Sequence, residues 1–271
     1  MSFLKKIFHR YQYLLKINNL SETEKLGKFS KASIFKFFKR SSLEVPFILG
    51  RTIRGSSFDN ANSDPMIRCL KDQDLLNFDV HKFSSKLQNI YVEQQFKKVN
   101  EFLNIKNPKI KNLPSWTIAY PWERLSFQDL QKNYLSLLER NRKNYISSND
   151  LRSSHGNKKF LIYAISHGEQ FKSLSKNIVK EGFNKDFPKP NIYILKNKLR
   201  WRWVMGGDGN HRAYILSKLG YKNCPVEILE IVERKHASQW PNVKNGEYSL
   251  KEAQEVFDIV FEGKSCIRGC F

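Results

Sequence analysis

Two hydrophobic periods divide the chain. From residue 160 onward, short runs rich in apolar, aromatic and β-branched residues predict strands. Residues 160–165 (FLIYAI) form the first run, 191–195 the second and 201–205 the third. Asn197-Lys198 predicts a hairpin turn between the last two. A fourth run, 224–232, follows the turn Gly220-Tyr221-Lys222-Asn223. Helical spacing alternates with these runs. Residues 171–181 predict a helix ended by Gly182, and 213–219 a second. Residues 249–261 predict a third, with Ser249 and Glu252 in capping-box spacing.

Before residue 150 the period is mainly helical. Phe3, Leu4, Ile7, Phe8, Tyr11, Leu14 and Leu15 fall on one stripe, and residues 31–40 interleave basic and aromatic positions. Both stretches fit helices docked on the protein's own core, the commoner arrangement, or helices lying on an anionic membrane surface. Residues 45–66 read as irregular, because Pro46, Gly50, Gly55 and the polar cluster at 59–65 break every period. Arg51 and Arg54 in that stretch could meet an anion, but read first as solvent-exposed. Helical spacing returns over residues 80–103 and gives way to a Lys/Asn-rich connector at 104–113. Trp116, Tyr120 and Trp122 then crowd one short segment, which fits either a stacking platform or an anchor onto the core. Ser126 and Asp129 mark the next helix start. The polar, glycine-containing stretch 147–158 marks the main boundary, and no internal repeat is evident.

The candidate chemistry gathers where a predicted strand meets a predicted helix. Gly206-Gly207-Asp208-Gly209-Asn210-His211-Arg212 joins the strand 201–205 to the helix 213–219. Glycines let a backbone approach a ligand closely, and the N–H groups of a helix start favour an anion. An arginine there opposes the helix dipole unless an anion is present, and Arg212 can grip a phosphate with two N–H groups at once. His211 can donate to a phosphate oxygen or move a proton. Asp208 can hold Mg²⁺ beside a triphosphate or simply cap its own turn. A second polar cluster, Ser166-His167-Gly168-Glu169-Gln170, reads as another strand-to-helix corner. There Glu169 is a candidate general base and His167 a candidate phosphate or substrate contact. Ser166 and Glu169 equally fit a helix-capping pair. Lys172, Lys185 and Lys189 add positive charge nearby. Trp201 and Trp203 alternate with Arg200 and Arg202, predicting an aromatic core face and a basic face.

Composition sets the partners. Hydrophobic residues make up 40% of the 271 positions, enough for a folded core. The net charge of +21 points to a polyanion: nucleic acid, an anionic membrane surface or a phosphorylated substrate, unless surface lysine simply reflects compositional bias. No apolar run reaches the ~18 residues a membrane-spanning helix needs. Neither a signal peptide nor a transmembrane segment is predicted, so a cytoplasmic setting is expected. The four cysteines are too few for a disulfide scaffold. Cys224 reads as a buried thiol, and the Cys266/Cys270 pair has no second pair to complete a zinc site.

The C-terminal unit resembles the ParB/sulfiredoxin superfamily over residues 160–232. The resemblance rests on Gly207-Asp208-Gly209-Asn210-His211-Arg212-Ala213, on Leu219-Gly220 returning to Pro225-Val226, and on Leu174, Ile178 and Gly182 upstream. The helical period at 1–150 and the helix and tail at 236–271 lie outside the resemblance and give, with it, an expected fold of α+β class; the resemblance itself implies a small mixed-sheet domain at 155–235. It also implies a nucleoside triphosphate, ATP or CTP, with Mg²⁺ as a companion, held by Gly207, Gly209, Asn210, His211, Arg212 and Ala213. The reaction classes it suggests are small-molecule phosphotransfer and nucleotide hydrolysis, with Asp208, His211, Glu169 and His167 as candidate catalytic residues. A non-enzymatic nucleic-acid-binding or nucleotide-sensing module is the alternative. Sulfiredoxins place a catalytic cysteine where this chain has Asn210, so sulfinic-acid reduction is not expected. The partitioning members have a second arginine where this chain has His211, and they continue into a helix-turn-helix domain. About 40 residues follow the unit here, so a partitioning role is not expected either.

Overall fold

The computed structural model describes residues 43–59, 64–94, 103, 105–107, 109, 119–130, 132, 158–184 and 188–264. The N-terminal stripe, the basic-aromatic stretch at 31–40, Trp116, Lys185, Cys266 and Cys270 lie outside the described residues, as does nearly all of the polar stretch at 147–158.

The described residues form a mixed α/β structure around a five-stranded mixed sheet. Its strands are β1 (Leu43–Pro46), β2 (Gly50–Arg51), β3 (Asn191–Asn197), β4 (Arg200–Met205) and β5 (Asn223–Glu233), in the order β1-β5-β3-β4-β2. The helices are α1 (Pro65–Lys71), α2 (Val80–Gln94), α3 (Lys158–Glu181), α4 (Asn210–Lys218), the short α5 (Pro241–Lys244) and α6 (Leu250–Glu262). The β3–β4 hairpin is antiparallel, and its turn holds Lys198 at φ 53. Helix α4 carries the chain across to β5, which runs parallel to β3.

Residue alternation gives the sheet two buried faces. Ile192, Ile194, Trp201, Trp203 and Met205 pack on one side with α1, α2, α3 and α4. Leu195, Val204 and Val232 pack on the other, beneath α6 and the segment around Trp122. In β5 the alternation changes phase. Cys224 and Val226 join the first core, but so does Ile231, while Val232 joins the second. The cause is a register shift: Ile192 pairs with Ile228 but Tyr193 with Glu230, so one extra residue of β5 is left over. Such a bulge turns every later side chain to the opposite face.

Residues 45–66 read as irregular, yet the described residues among them include strand and helix positions as well as turns. They supply β1, β2 and α1, and one short segment lines both edges of the sheet. Leu43–Pro46 pairs with β5 at one edge, and Gly50–Arg51 pairs with β4 at the other. Between them Phe47–Leu49 makes a 3₁₀ turn. The segment crosses the first face on top of Trp203, whose indole N–H donates to the Pro46 carbonyl at 2.8 Å. Gly50 lies so close to the Trp203 ring that no side chain fits there. Two strands of four and two residues carry no readable alternation, so only the tertiary pairing reveals them.

The run at 160–165 is likewise not a strand. It lies within the 24-residue helix α3. A six-residue apolar run cannot be told from part of a buried helix by its period alone. The longer pattern decides: Ala164, Gly168, Phe171, Ser175 and Ile178 are all buried and follow helical spacing. Gly168 is therefore not a corner. A Cβ at this position would stand 3.0 Å from Val80 Cγ1 and 3.2 Å from Ser84 Oγ of α2, so the glycine permits close helix packing. It follows that Ser166 and Glu169 sit in mid-helix and cannot form a capping pair at a helix start.

The second face is closed by aromatic packing. Tyr120 and Trp122 stack at 4.8 Å, and Trp122 meets Trp240 and Phe257 edge-on. Tyr120 and Trp122 are thus the anchor, each at most 2% exposed. Asn242, fully buried, donates to the carbonyls of Tyr120 and Leu125. The expected cap at Ser126 is present, with Asp129 N–H donating to Ser126 Oγ and Ser126 N–H to Asp129. The capping box at Ser249 and Glu252 is present as well. Arg51, expected at the surface, is only 4% exposed. Its Nε and Nη2 donate to the Phe261 carbonyl, which would otherwise lack a partner at the end of α6.

Candidate functional site

The glycine loop is pinned at its base. Gly206 N–H donates to the Asn191 carbonyl and Asn191 N–H donates to the Asp208 carbonyl, tying the loop to the start of β3. Gly209 is the N-cap of α4 in the left-handed conformation, φ 75. A Cβ there would stand 2.5 Å from Pro190 Cα, so two requirements coincide on glycine. Gly207 differs: it is exposed, and a Cβ would meet nothing within 4 Å. No side chain caps α4, and no acidic residue stands in its first turn. Asp208, one residue before the cap, is exposed.

Around this helix start the fold assembles a basic cluster. His211 Nε2 and His167 Nδ1 lie 2.7 Å apart and share one N–H. Their sequence positions are remote, His167 in the middle of α3 and His211 in the first turn of α4; packing of the two helices joins them. The edge-on ring of Phe171, 4.6 Å away, fixes the His211 imidazole. Burial lowers His167 to about 3, assisted by the positive influence of His211 and of Arg54. Burial lowers His211 to about 4, with Arg212 adding to it. Both rings are therefore neutral at pH 7. Among the described residues, the charged groups that lower them are basic.

Arg212 completes the cluster. Its Nε is buried and donates to nothing, and the buried Asn210 Oδ1 accepts nothing. Asn210 Nδ2 donates to the Gly207 carbonyl, bracing the loop from within. An orphaned guanidinium donor costs free energy unless a partner arrives from outside the chain. Asp64, a fully buried carboxylate on this side of the sheet, is already engaged. It accepts from Tyr214 Oη at 3.1 Å and from Met66 N–H at 2.8 Å, capping α1.

Of the residues expected at the site, the fold brings together His167, Asn210, His211 and Arg212, with Gly207, Asp208 and Gly209 forming the loop beside them. Two expected residues fall elsewhere. Ala213 is fully buried in the first core, and its N–H is taken by the Gly209 carbonyl. Glu169 is exposed and lies two positions from His167 on α3, so the two point to different sides of the helix. Lys172 is exposed on α3 and Lys189 is half-buried beside the loop. Arg54, read first as solvent-exposed, comes from the turn after β2 to act on His167, and sequence reading missed the Asp64–Tyr214 pair. Nothing periodic in the sequence links these positions to the loop.

Among the described residues no group of three or more His, Cys, Asp or Glu is placed to hold a metal ion. No described helix is long and apolar enough to cross a membrane. Cys69 and Cys224 are free and buried, and burial pushes both thiols up, that of Cys69 to about 12. The fold and site thus define a mixed α/β protein with a basic, glycine-lined helix start. Comparison of the chain with known protein families, curated proteins and solved structures gives no match.

Proposed function

We propose that the chain binds a nucleoside triphosphate, ATP or CTP, through its phosphates at Gly207 to Arg212, and acts on it as a small-molecule phosphotransferase or nucleotide hydrolase. The carrying observation is the buried, unpartnered Arg212 Nε at an uncapped helix start, beside two imidazoles on which the described residues act with positive charge. A phosphate supplies the missing acceptor and the missing negative charge together. The resemblance of residues 160–232 to the ParB/sulfiredoxin superfamily supports the same reading. In this reading Arg212, His211 and the loop N–H groups stabilise the charge that develops on the transferring phosphoryl group. Mg²⁺ asks for one or two carboxylates besides phosphate oxygens, and exposed Asp208 is the residue that would supply one. The free, buried thiols Cys69 and Cys224 fit a cytoplasmic setting.

Calorimetric titration with ATP, CTP and GTP, with and without Mg²⁺, tests this directly. The expected result is binding by wild type at least tenfold tighter than by Arg212→Ala. Equal affinities, or no binding of any of the three, would remove the reading.

A second reading, nucleic-acid binding, is favoured by the net charge of +21 and by Lys172, Lys176 and Lys180, exposed at four-residue spacing on α3. It predicts DNA affinity that falls steeply with salt and no nucleotide turnover.

A further inference from the structure

We infer that this site takes its anion together with a proton: a doubly charged phosphate or sulfate group binding at the loop brings a proton onto the His167–His211 pair. The inference rests on the anion-binding reading above and adds the proton to it.

The geometry carries the case. Two ring nitrogens 2.7 Å apart cannot both bear a hydrogen, so the pair holds a single N–H between them and has room for one more proton. The groups facing the pair explain why that proton is absent from the free protein. Arg212 stands beside His211 on α4, and Arg54 reaches His167 from the turn after β2. Phe171 covers the His211 ring. Where α2 passes Gly168, next to His167, it presents Val80, Phe83 and Ser84, none of them ionisable. From α1, Asp64 faces Tyr214 and is held by that hydroxyl and by its own helix start. Glu169 is exposed and points away from His167. The charges acting on the pair from the described residues are thus positive, and burial holds the rings neutral.

An incoming dianion reverses the balance. It adds an opposite charge next to two rings that are already desolvated, where attraction is least screened. Protonation then becomes favourable for the complex although it is unfavourable for the free protein. By linkage, a ligand that binds with proton uptake binds more tightly as pH falls, by up to about tenfold per pH unit over the window in which one whole proton is taken up. Sulfate separates the protein's proton from the ligand's own, because it does not titrate between pH 5 and 8, whereas a terminal phosphate does, near pH 6.

The experiment uses the full-length protein labelled with ¹⁵N at its histidine rings. Ring nitrogen shifts are recorded at pH 6.5 alone, with saturating ATP or CTP, and with sodium sulfate. Both rings are expected to be neutral in the free protein, and the pair to become cationic with either anion. Sulfate affinity is expected to be at least tenfold higher at pH 5.5 than at pH 7.5, and His167→Asn to flatten that ratio to less than threefold while still binding at pH 7.5. If nucleotide does not bind but sulfate protonates the pair, the inference stands and the nucleotide reading falls. If nucleotide or sulfate saturates the site while both rings stay neutral, the inference is overturned. It is equally overturned if neither anion changes the rings at any concentration tested.

Discussion

The two faces of the sheet treat positive charge differently. On the α6 face every arginine given a contact has an acceptor or a ring. Arg234 forms two hydrogen bonds with Asp258, at 2.7 and 2.8 Å, and Arg200 meets Glu262 at 3.0 Å. Arg200 and Arg202 lie over the Phe261 ring, and Arg51 holds the carbonyl of the same residue. On the α3–α4 face Arg212 has a buried donor without a partner, and His167 and His211 have each other. The same residue types thus do different work. Where the chain supplies the acceptor, the arginine holds the fold; at Arg212 a buried donor is left over, which is the basis of the anion-binding proposal.

Substitutions can break this contrast. The largest effect is expected from Arg51→Ala, which strands the end of α6 and removes a buried charge-assisted contact. A loss of about 3 kcal/mol in urea unfolding is expected, with phosphate-site affinity unchanged in the protein that remains folded. A stability change below about 1 kcal/mol would show that the α6 face does not depend on this arginine. Gly209→Ala comes next, at about 2 kcal/mol, because it combines a left-handed backbone with a collision against Pro190. Gly207→Ala is its control: with open space around it, stability should stay within about 0.5 kcal/mol, and only nucleotide affinity should respond. Equal costs at the two glycines would contradict the placement of the loop.

Arg212→Ala reverses the Arg51 pattern. Stability should hold or rise slightly, while nucleotide affinity falls at least tenfold, which is about 1.4 kcal/mol. Arg212→Lys should not restore it, because an ammonium cannot present the guanidinium fork.

Acid and base should also separate the faces. Both histidines titrate lower in the folded protein than their ordinary value of 6.5. The unfolded chain therefore binds more protons than the folded one between pH 6.5 and about 3, and stability falls as pH drops through that window. Glu123, on the other face, behaves oppositely. Its carboxyl accepts from Tyr120 N–H at 2.7 Å, and burial raises it to about 7. There the folded protein binds the extra proton, so stability falls as pH rises from 4.5 to 7. Urea midpoints measured from pH 4 to 8 should show both arms. His211→Asn is expected to flatten the acid arm and Glu123→Gln the neutral one. The smallest effect belongs to Asp258→Asn: its pair with Arg234 is partly exposed, and double-mutant analysis should assign it at most ~1 kcal/mol.

Much of the C-terminal half was legible from local chemistry. The hairpin, the glycine loop, β5 and α6 each carry their own turn, cap or alternation, so the sequence places them within a residue or two, while α4 begins at Asn210, three residues before its expected start. What escaped was set by distant contacts. The start of α3 was hidden because its apolar run suits a strand as well as a buried helix. The edge strands were hidden because neither is long enough to show a pattern. At the site, the loop and its arginine were legible, and both histidines were candidates. Their pairing was not, because it depends on how two helices pack. Glu169 looked like a base only while α3 was thought to begin near it.

The short segment from Leu43 to Arg51 has a consequence for assembly. Its partners, Asn223 to Val226 and Trp203 to Val204, lie far downstream in the chain. The hairpin, α4 and β5 have only near neighbours to find, and can collect first. The segment must wait, then dock on both edges in one step, closing two long loops together. Until it docks, β4 and β5 each present an unpaired edge to any other strand nearby. The interval before that closure is when the chain is most open to pairing with a second copy of itself, and a substitution that slows docking, such as a side chain at Gly50, should appear first as aggregation during refolding.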